Sequence, residues 1–157
     1  MMILLMLLAQ TTPVAPIVKG TALPPPGTEE AQVMVPVEAL LRAIEASDGA
    51  AALAATLPEG TITATRTAPD GKPQRRTVRW ADWATSLRPE AGPSVEKQGT
   101  PAIEIDGNLA MVWAPYTTLV SGKPSQCGYN LFDLVRGEAG WKILNVSYSV
   151  RTEGCAP

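Results

Sequence analysis

Apolar residues recur with a helical period in the first half of the chain and with a strand period through its last third. Val37, Leu40, Leu41 and Ile44 stand at i, i+3, i+4 and i+7, the stripe of an amphipathic helix. With Pro36 in its first turn, that spacing predicts a helix over about 36–46. Asp48 can cap a second, short helix in which Ala50, Leu53, Ala54 and Leu57 repeat the spacing before Pro58 and Gly60 end it. The β-branched run Thr61–Thr67 and the run Arg75–Trp80 flank Pro69-Asp70-Gly71-Lys72, a turn signal, and predict a strand pair. Trp80, Trp83, Ala84 and Leu87 return to helical spacing until Pro89.

From there the chain reads strand after strand. Ala102–Ile105, Leu109–Val120, Gln126–Arg136 and Trp141–Arg151 are separated by Asp106-Gly107, Ser121-Gly122-Lys123-Pro124 and Gly137-Glu138-Ala139-Gly140. Each of these connections is a hairpin-type turn, so an antiparallel meander is predicted. Two helices, a strand pair, a helix and then long strands predict an α+β domain with its helices on one face of a curved antiparallel sheet. Pro115 removes a ladder donor inside a long strand, which predicts an edge position or a bulge at Ala114–Tyr116.

The two termini and the composition narrow the picture. Residues 1–9, an uncharged apolar run, are too short to span a bilayer, which needs about 20 residues, and resemble the hydrophobic region of an export signal. A misassigned start codon or an N-terminal strand is the alternative. Residues 10–32 carry Pro13, Pro16, Pro24, Pro25 and Pro26 among threonines and read as a linker. That leaves 33–157 as a single domain. With export, Cys127 and Cys155 can persist as a disulfide in an oxidising compartment; the alternative is a buried thiol at 127 and a loose one on the tail. The net charge of −2, from 13 Lys plus Arg and 15 Asp plus Glu, lacks the basic excess that drives nucleic-acid binding. The chain has no histidine, which excludes His-dependent triads and the commonest metal ligand, and two cysteines cannot build a four-thiolate zinc site. No metal and no cofactor are expected.

Asp106-Gly107-Asn108-Leu109-Ala110-Met111-Val112-Trp113-Ala114-Pro115-Tyr116, followed by Cys127-Gly128, Phe132 and Gly140-Trp141-Lys142-Ile143, resembles the nuclear transport factor 2-like superfamily. Within it, the stretch is similar to the SnoaL-like and lumazine-binding bacterial branch. The resemblance spans 35–155 and implies a cone-shaped, cystatin-like α+β domain enclosing a pocket, often as a homodimer. Enzymes, ligand carriers and scaffolds all use this fold, so it does not choose a function.

Turn lengths predict that Trp113 faces Phe132, Phe132 faces Asn145 and Leu134 faces Ile143. One sheet face then carries Trp113, Asn130, Phe132, Trp141, Asn145 and Ser147, apolar and aromatic walls with a few neutral hydrogen-bonding groups, the composition of a ligand pocket. Glu104 falls on the same face, at its rim. The opposite face gathers Ile103, Ile105, Val112, Leu131, Leu144, Val146 and Val150 with Tyr116, Tyr129 and Tyr148, and Asp133 at its edge. An apolar second face needs a cover, supplied by a second subunit or by the folded-back linker. Lys72, Arg75, Arg76 and Arg79 read as a solvated strand edge, with attraction of an anion as the alternative. Trp80 and Trp83 read as core, with a place at the pocket mouth as the alternative.

The expected protein is an exported, periplasmic or secreted domain binding a small apolar or aromatic ligand without its own catalysis. It is expected as a homodimer through the outer sheet face, with no nucleic-acid partner and no stable membrane span. An isomerase, dehydratase or hydrolase using Glu104, Tyr116 or Asp133 with the basic cluster is the second expectation, and a structural dimerisation domain the third.

Overall fold

The computed structural model describes residues 22–88 and 94–156. The export segment at 1–9 and the linker up to residue 21 lie outside them. The first helix, α1 (Glu29–Glu45), begins two turns before its apolar stripe. Thr28 caps it, accepting from the Ala31 N–H at 3.2 Å, and Glu29 and Glu30 occupy the positive first turn. The start expected at Pro36 and the linker boundary at 32 are therefore corrected. Pro36 is tolerated inside the helix because the carbonyl its missing N–H would have served belongs to Gln32, an exposed residue open to water.

Asp48 caps α2 (Gly49–Ala54) as expected, accepting from the Ala51 N–H at 2.9 Å. Ala52 is its buried position, followed by the buried C-cap Ala55, while Leu53 faces outward. Leaving α2, the chain already runs alongside the last strand, with Leu57 donating to the Ile143 carbonyl and Ile143 donating to that of Ala55. Gly60 passes so close to the Leu144 carbonyl that a Cβ there would collide with it.

The strands are β1 (Thr61–Thr67), β2 (Pro73–Arg79), β3 (Ser94–Gln98), β4 (Ala102–Asp106), β5 (Leu109–Val120), β6 (Lys123–Gly137) and β7 (Gly140–Val150). The short helix α3 (Trp80–Ala84) follows β2. Hydrogen bonding orders them β2-β1-β7-β6-β5-β3, with β4 also on β5. The meander and the β1–β2 hairpin match the sequence reading. The sheet is mixed rather than wholly antiparallel, because β1, aligned by the segment before it, pairs parallel to β7. The sequence reading assigns no element at β3, whose residues Ser94-Val95-Glu96-Lys97-Gln98 carry one apolar side chain and no alternation.

The strands β3 and β4 share one edge of β5 and break at Gly99–Pro101. Gly99 donates to the Pro115 carbonyl. The missing Pro115 N–H points the same way, at the break, so the ladder loses nothing there. The bulges lie instead at Thr118/Leu119 between β5 and β6 and at Asp133/Leu134 between β6 and β7.

Helix α1 lies on the concave face of the sheet. Val33, Met34, Val37, Leu40 and Ala43 pack with Ala110, Val112, Phe132, Leu134, Ile143 and Val146 into one core, the source of most of the stabilisation from apolar burial. Trp80, with no exposed surface, closes one end and donates from Nε1 to the Leu144 carbonyl at 2.8 Å. The tail is held by a Cys127–Cys155 disulfide with Cα atoms 5.5 Å apart. No helix among the described residues is long and apolar enough to cross a membrane.

Candidate functional site

Register decides which side chains reach the concave face. Phe132 pairs with Val112 and Val146, and Trp113 pairs with Leu131. The expected Leu134–Ile143 pair is present. The other two registers are each off by one residue: the short β5–β6 turn together with the Thr118/Leu119 bulge displaces Trp113, the Asp133/Leu134 bulge displaces Phe132 against β7, and neither bulge was in the spacing. One residue of slip exchanges faces. Trp113 therefore sits on the convex face, 37% exposed and stacked on Tyr129 with ring centroids 5.0 Å apart.

Asn145 and Ser147 lie on that convex face too. Asn145 donates from Nδ2 to Asp133 at 3.3 Å and accepts from the Thr61 N–H and hydroxyl, while Ser147 is exposed. Glu104, paired with Met111, is exposed there as well. Val112, Val146, Tyr116 and Tyr148, expected on the outer face, are concave, so the expected row of three tyrosines is split, with Tyr129 alone outside. Trp141 is concave and buried, under the Arg136 guanidinium at 4.5 Å. Arg136 in turn pairs with Glu29 at the start of α1.

Asn130 and Phe132, of the six expected ligand residues, line a cavity of about 170 Å3 between the helices and the concave face. Its apolar walls are Leu40, Leu41 and Ile44 of α1, Trp83 of α3, and Ile62, Phe132 and Val146 of the sheet. Trp80 and Trp83 thus divide the two readings between them, one core and one wall, packed edge to face at 5.5 Å. The other end is polar: Ser94 and Glu96 from β3, Thr118, Gln126, Asn130 and Tyr148.

Glu96 is the residue that sequence reasoning missed. Asn130, only 4% exposed, donates from Nδ2 to Glu96 Oε1 at 2.7 Å. Burial pushes the Glu96 carboxyl above the ordinary carboxylate range, and the Asn130 bond offsets part of that. Burial also raises the Tyr148 hydroxyl, with the Glu96 charge acting the same way and Arg76 opposing. Tyr116, whose hydroxyl donates to the Ser149 carbonyl at 2.9 Å, is raised by burial first and then by Glu96 and Tyr148. A carboxyl biased toward its neutral form in an apolar cavity can donate a hydrogen bond to a bound acceptor or exchange a proton with it. Among the described residues no three His, Cys, Asp or Glu side chains come together as a metal site.

No protein-family model and no curated protein sequence matches the chain. Solved structures do. A nuclear transport factor 2-like protein with a cystatin-like fold from Novosphingobium aromaticivorans matches with a TM-score of 0.64 at 15% identity, over 82% of this chain and 84% of that one. A cystatin-like protein of unknown function from Nostoc punctiforme gives 0.64 at 8% identity, over 80% and 92%. A nuclear transport factor 2-like superfamily protein from Salmonella enterica gives 0.60 at 18%, over 80% and 93%. These neighbours do not single out the SnoaL-like branch. At such identities the likeness is one of architecture, and it agrees with the helix on a curved mixed sheet described above: the chain has the nuclear transport factor 2-like, cystatin-like fold.

Proposed function

We propose that the domain binds a small molecule by inserting a ring-sized apolar group between α1 and the concave face, with Glu96 and Asn130 as the polar anchor. The observation that carries this is the 170 Å3 cavity, walled by Leu, Ile, Phe and Trp side chains and ending on a half-buried Glu96 hydrogen-bonded to the buried Asn130. An apolar cavity of about 150 Å3 is large enough for benzene. Trp83 lines it, so a bound ring should quench tryptophan fluorescence saturably. Ile44→Phe, at the half-buried margin of the cavity, should abolish that signal while leaving the unfolding midpoint nearly unchanged. Saturable quenching that survives Ile44→Phe would move the site elsewhere.

One observation favours a second reading, turnover by an isomerase, dehydratase or hydrolase. The Glu96 carboxyl is raised above the ordinary carboxylate range by burial, the direction in which catalytic carboxyls are shifted, and it takes the role the sequence expectation gave to Glu104, Tyr116 or Asp133. Turnover in a panel of lactones, epoxides and ketosteroids, lost in Glu96→Gln, would establish it.

Export and self-association belong to the same proposal. The Cys127–Cys155 disulfide suits an oxidising compartment. The convex face offers the stacked Trp113 and Tyr129 with Met111, Pro115 and Leu131 as a surface for a second copy. Sedimentation equilibrium should give a dimer that Trp113→Glu converts to monomer. A parent protein that remains monomeric at high micromolar concentration would remove this part.

A further inference from the structure

Three arginines flank the cavity, on the side away from Glu96. The pairs Ala64–Arg76, Ala64–Tyr148 and Tyr148–Asn130 place Arg76, Ala64, Tyr148 and Asn130 in one cross-strand row. Glu96 closes that row through the Asn130 amide. Neighbouring strands lie about 4.8 Å apart, which puts the Arg76 and Tyr148 backbones roughly 10 Å from each other. Ala64, the one short side chain between them, leaves an open groove of about 620 Å3, lined by Arg66, Arg75 and Arg76. Gln126 and Tyr148 line both this groove and the 170 Å3 cavity, so the two spaces meet at those side chains.

The groove is chemically unlike the cavity. Arg66 donates from Nε to Gln74 Oε1 at 2.8 Å, which draws its guanidinium across toward β2. Among the described residues none of the three arginines has an acidic partner; the ion pairs there belong to Arg42, Lys72 and Arg136. Arg76 is near enough to Tyr148 to act on its hydroxyl. A cavity that holds one ring is also smaller than the roughly 300–1,000 Å3 of a usual ligand site, so a larger ligand must continue past Tyr148.

We infer that the ligand is an amphipathic anion, its ring-sized apolar body in the cavity and its acidic group on Arg66 and Arg76. This deepens the binding reading above and rests on it. None of the described residues lining the cavity is cationic, whereas the groove carries the arginines, so the row also fixes which way round the molecule lies. Guanidinium groups suit a carboxylate or phosphate, which they can hold with paired hydrogen bonds.

Calorimetric titration with 3-phenylpropanoate and with its isosteric neutral amide tests this. The acid should bind about tenfold tighter at low salt, the factor one charge-assisted hydrogen bond supplies. That preference should shrink at high salt and vanish in the Arg66→Gln/Arg76→Gln variant, whose affinity for the amide should be unchanged. Both arginines are exposed, so the variant should keep the parent's unfolding midpoint. Equal affinities in the parent, or a preference that survives in the variant, would overturn the anion inference and leave the pocket reading standing. Absence of saturable binding by either probe would overturn both.

Discussion

Because burial raises the Glu96 carboxyl by more than the Asn130 bond lowers it, the native chain holds that proton more tightly than the unfolded chain. Between the ordinary value of 4.5 and the raised one, the folded state binds more protons. Stability therefore falls as pH climbs through that window, and the penalty is fully present above it. Glu96→Gln removes the titration. In urea unfolding at a series of pH values, the stability difference between variant and parent should move in the variant's favour as pH rises from about 4.5. A difference independent of pH would mean that the native carboxyl is as well solvated as the unfolded one. Strand alternation placed Asn130 and Phe132 on one face of β6, and both line the cavity. Glu96 was not legible, because a carboxylate beside Lys97 in a segment with one apolar residue has the local look of a solvated loop, and its partner Asn130 lies 34 residues away.

Short strands and bulges account for most of what the spacing misplaced. The long strands β5, β6 and β7 announce themselves by alternation, whereas the registers between them depend on bulges that no side-chain pattern marks. The Asp133/Leu134 bulge leaves Leu134–Ile143 paired as expected and shifts everything beyond it. That is how Asn145 and Ser147 come to face outward. Close backbone approach is similarly invisible in one dimension: Gly128 meets the Ser149 carbonyl where β6 and β7 curve together, and a Cβ there would collide with backbone, not with a flexible side chain. Gly128→Ala should therefore cost about 2–3 kcal/mol in urea unfolding, the upper range for overpacking. A loss below about 0.5 kcal/mol, the scatter of ordinary surface changes, would show that the strands can part there freely.

Across the molecule, the disulfide ties the end of the chain to the middle of β6. Cys127 also exchanges both backbone hydrogen bonds with Arg151, so the backbone, as well as the bridge, aligns the tail. The bridge spans 28 residues of sequence, for which the loop-entropy model gives about 3–4 kcal/mol of stabilisation. Paired Cys127→Ser and Cys155→Ser substitution should lower the free energy of unfolding by that amount, as should reduction with dithiothreitol. The concave surface should change little, since neither sulfur lines the cavity, and binding of a ring-sized probe should persist in the reduced protein below its unfolding midpoint. Loss of binding without unfolding would instead couple the tail to the pocket.

Local chemistry determined the elements of this protein: the helical stripe of Val37, Leu40 and Ile44, the Asp48 cap, the β1–β2 hairpin around Asp70-Gly71 and the meander of long strands are all interactions between near neighbours in sequence. The same holds for the architecture, since helices with one apolar stripe and strands that alternate have few ways to bury both. Tertiary structure alone decided which face each strand residue occupies, that β1 runs parallel to β7, and that Glu96 and Asn130 meet at the end of an apolar cavity. These depend on distant segments meeting and on one-residue irregularities, and a period-two pattern reads the same in either register.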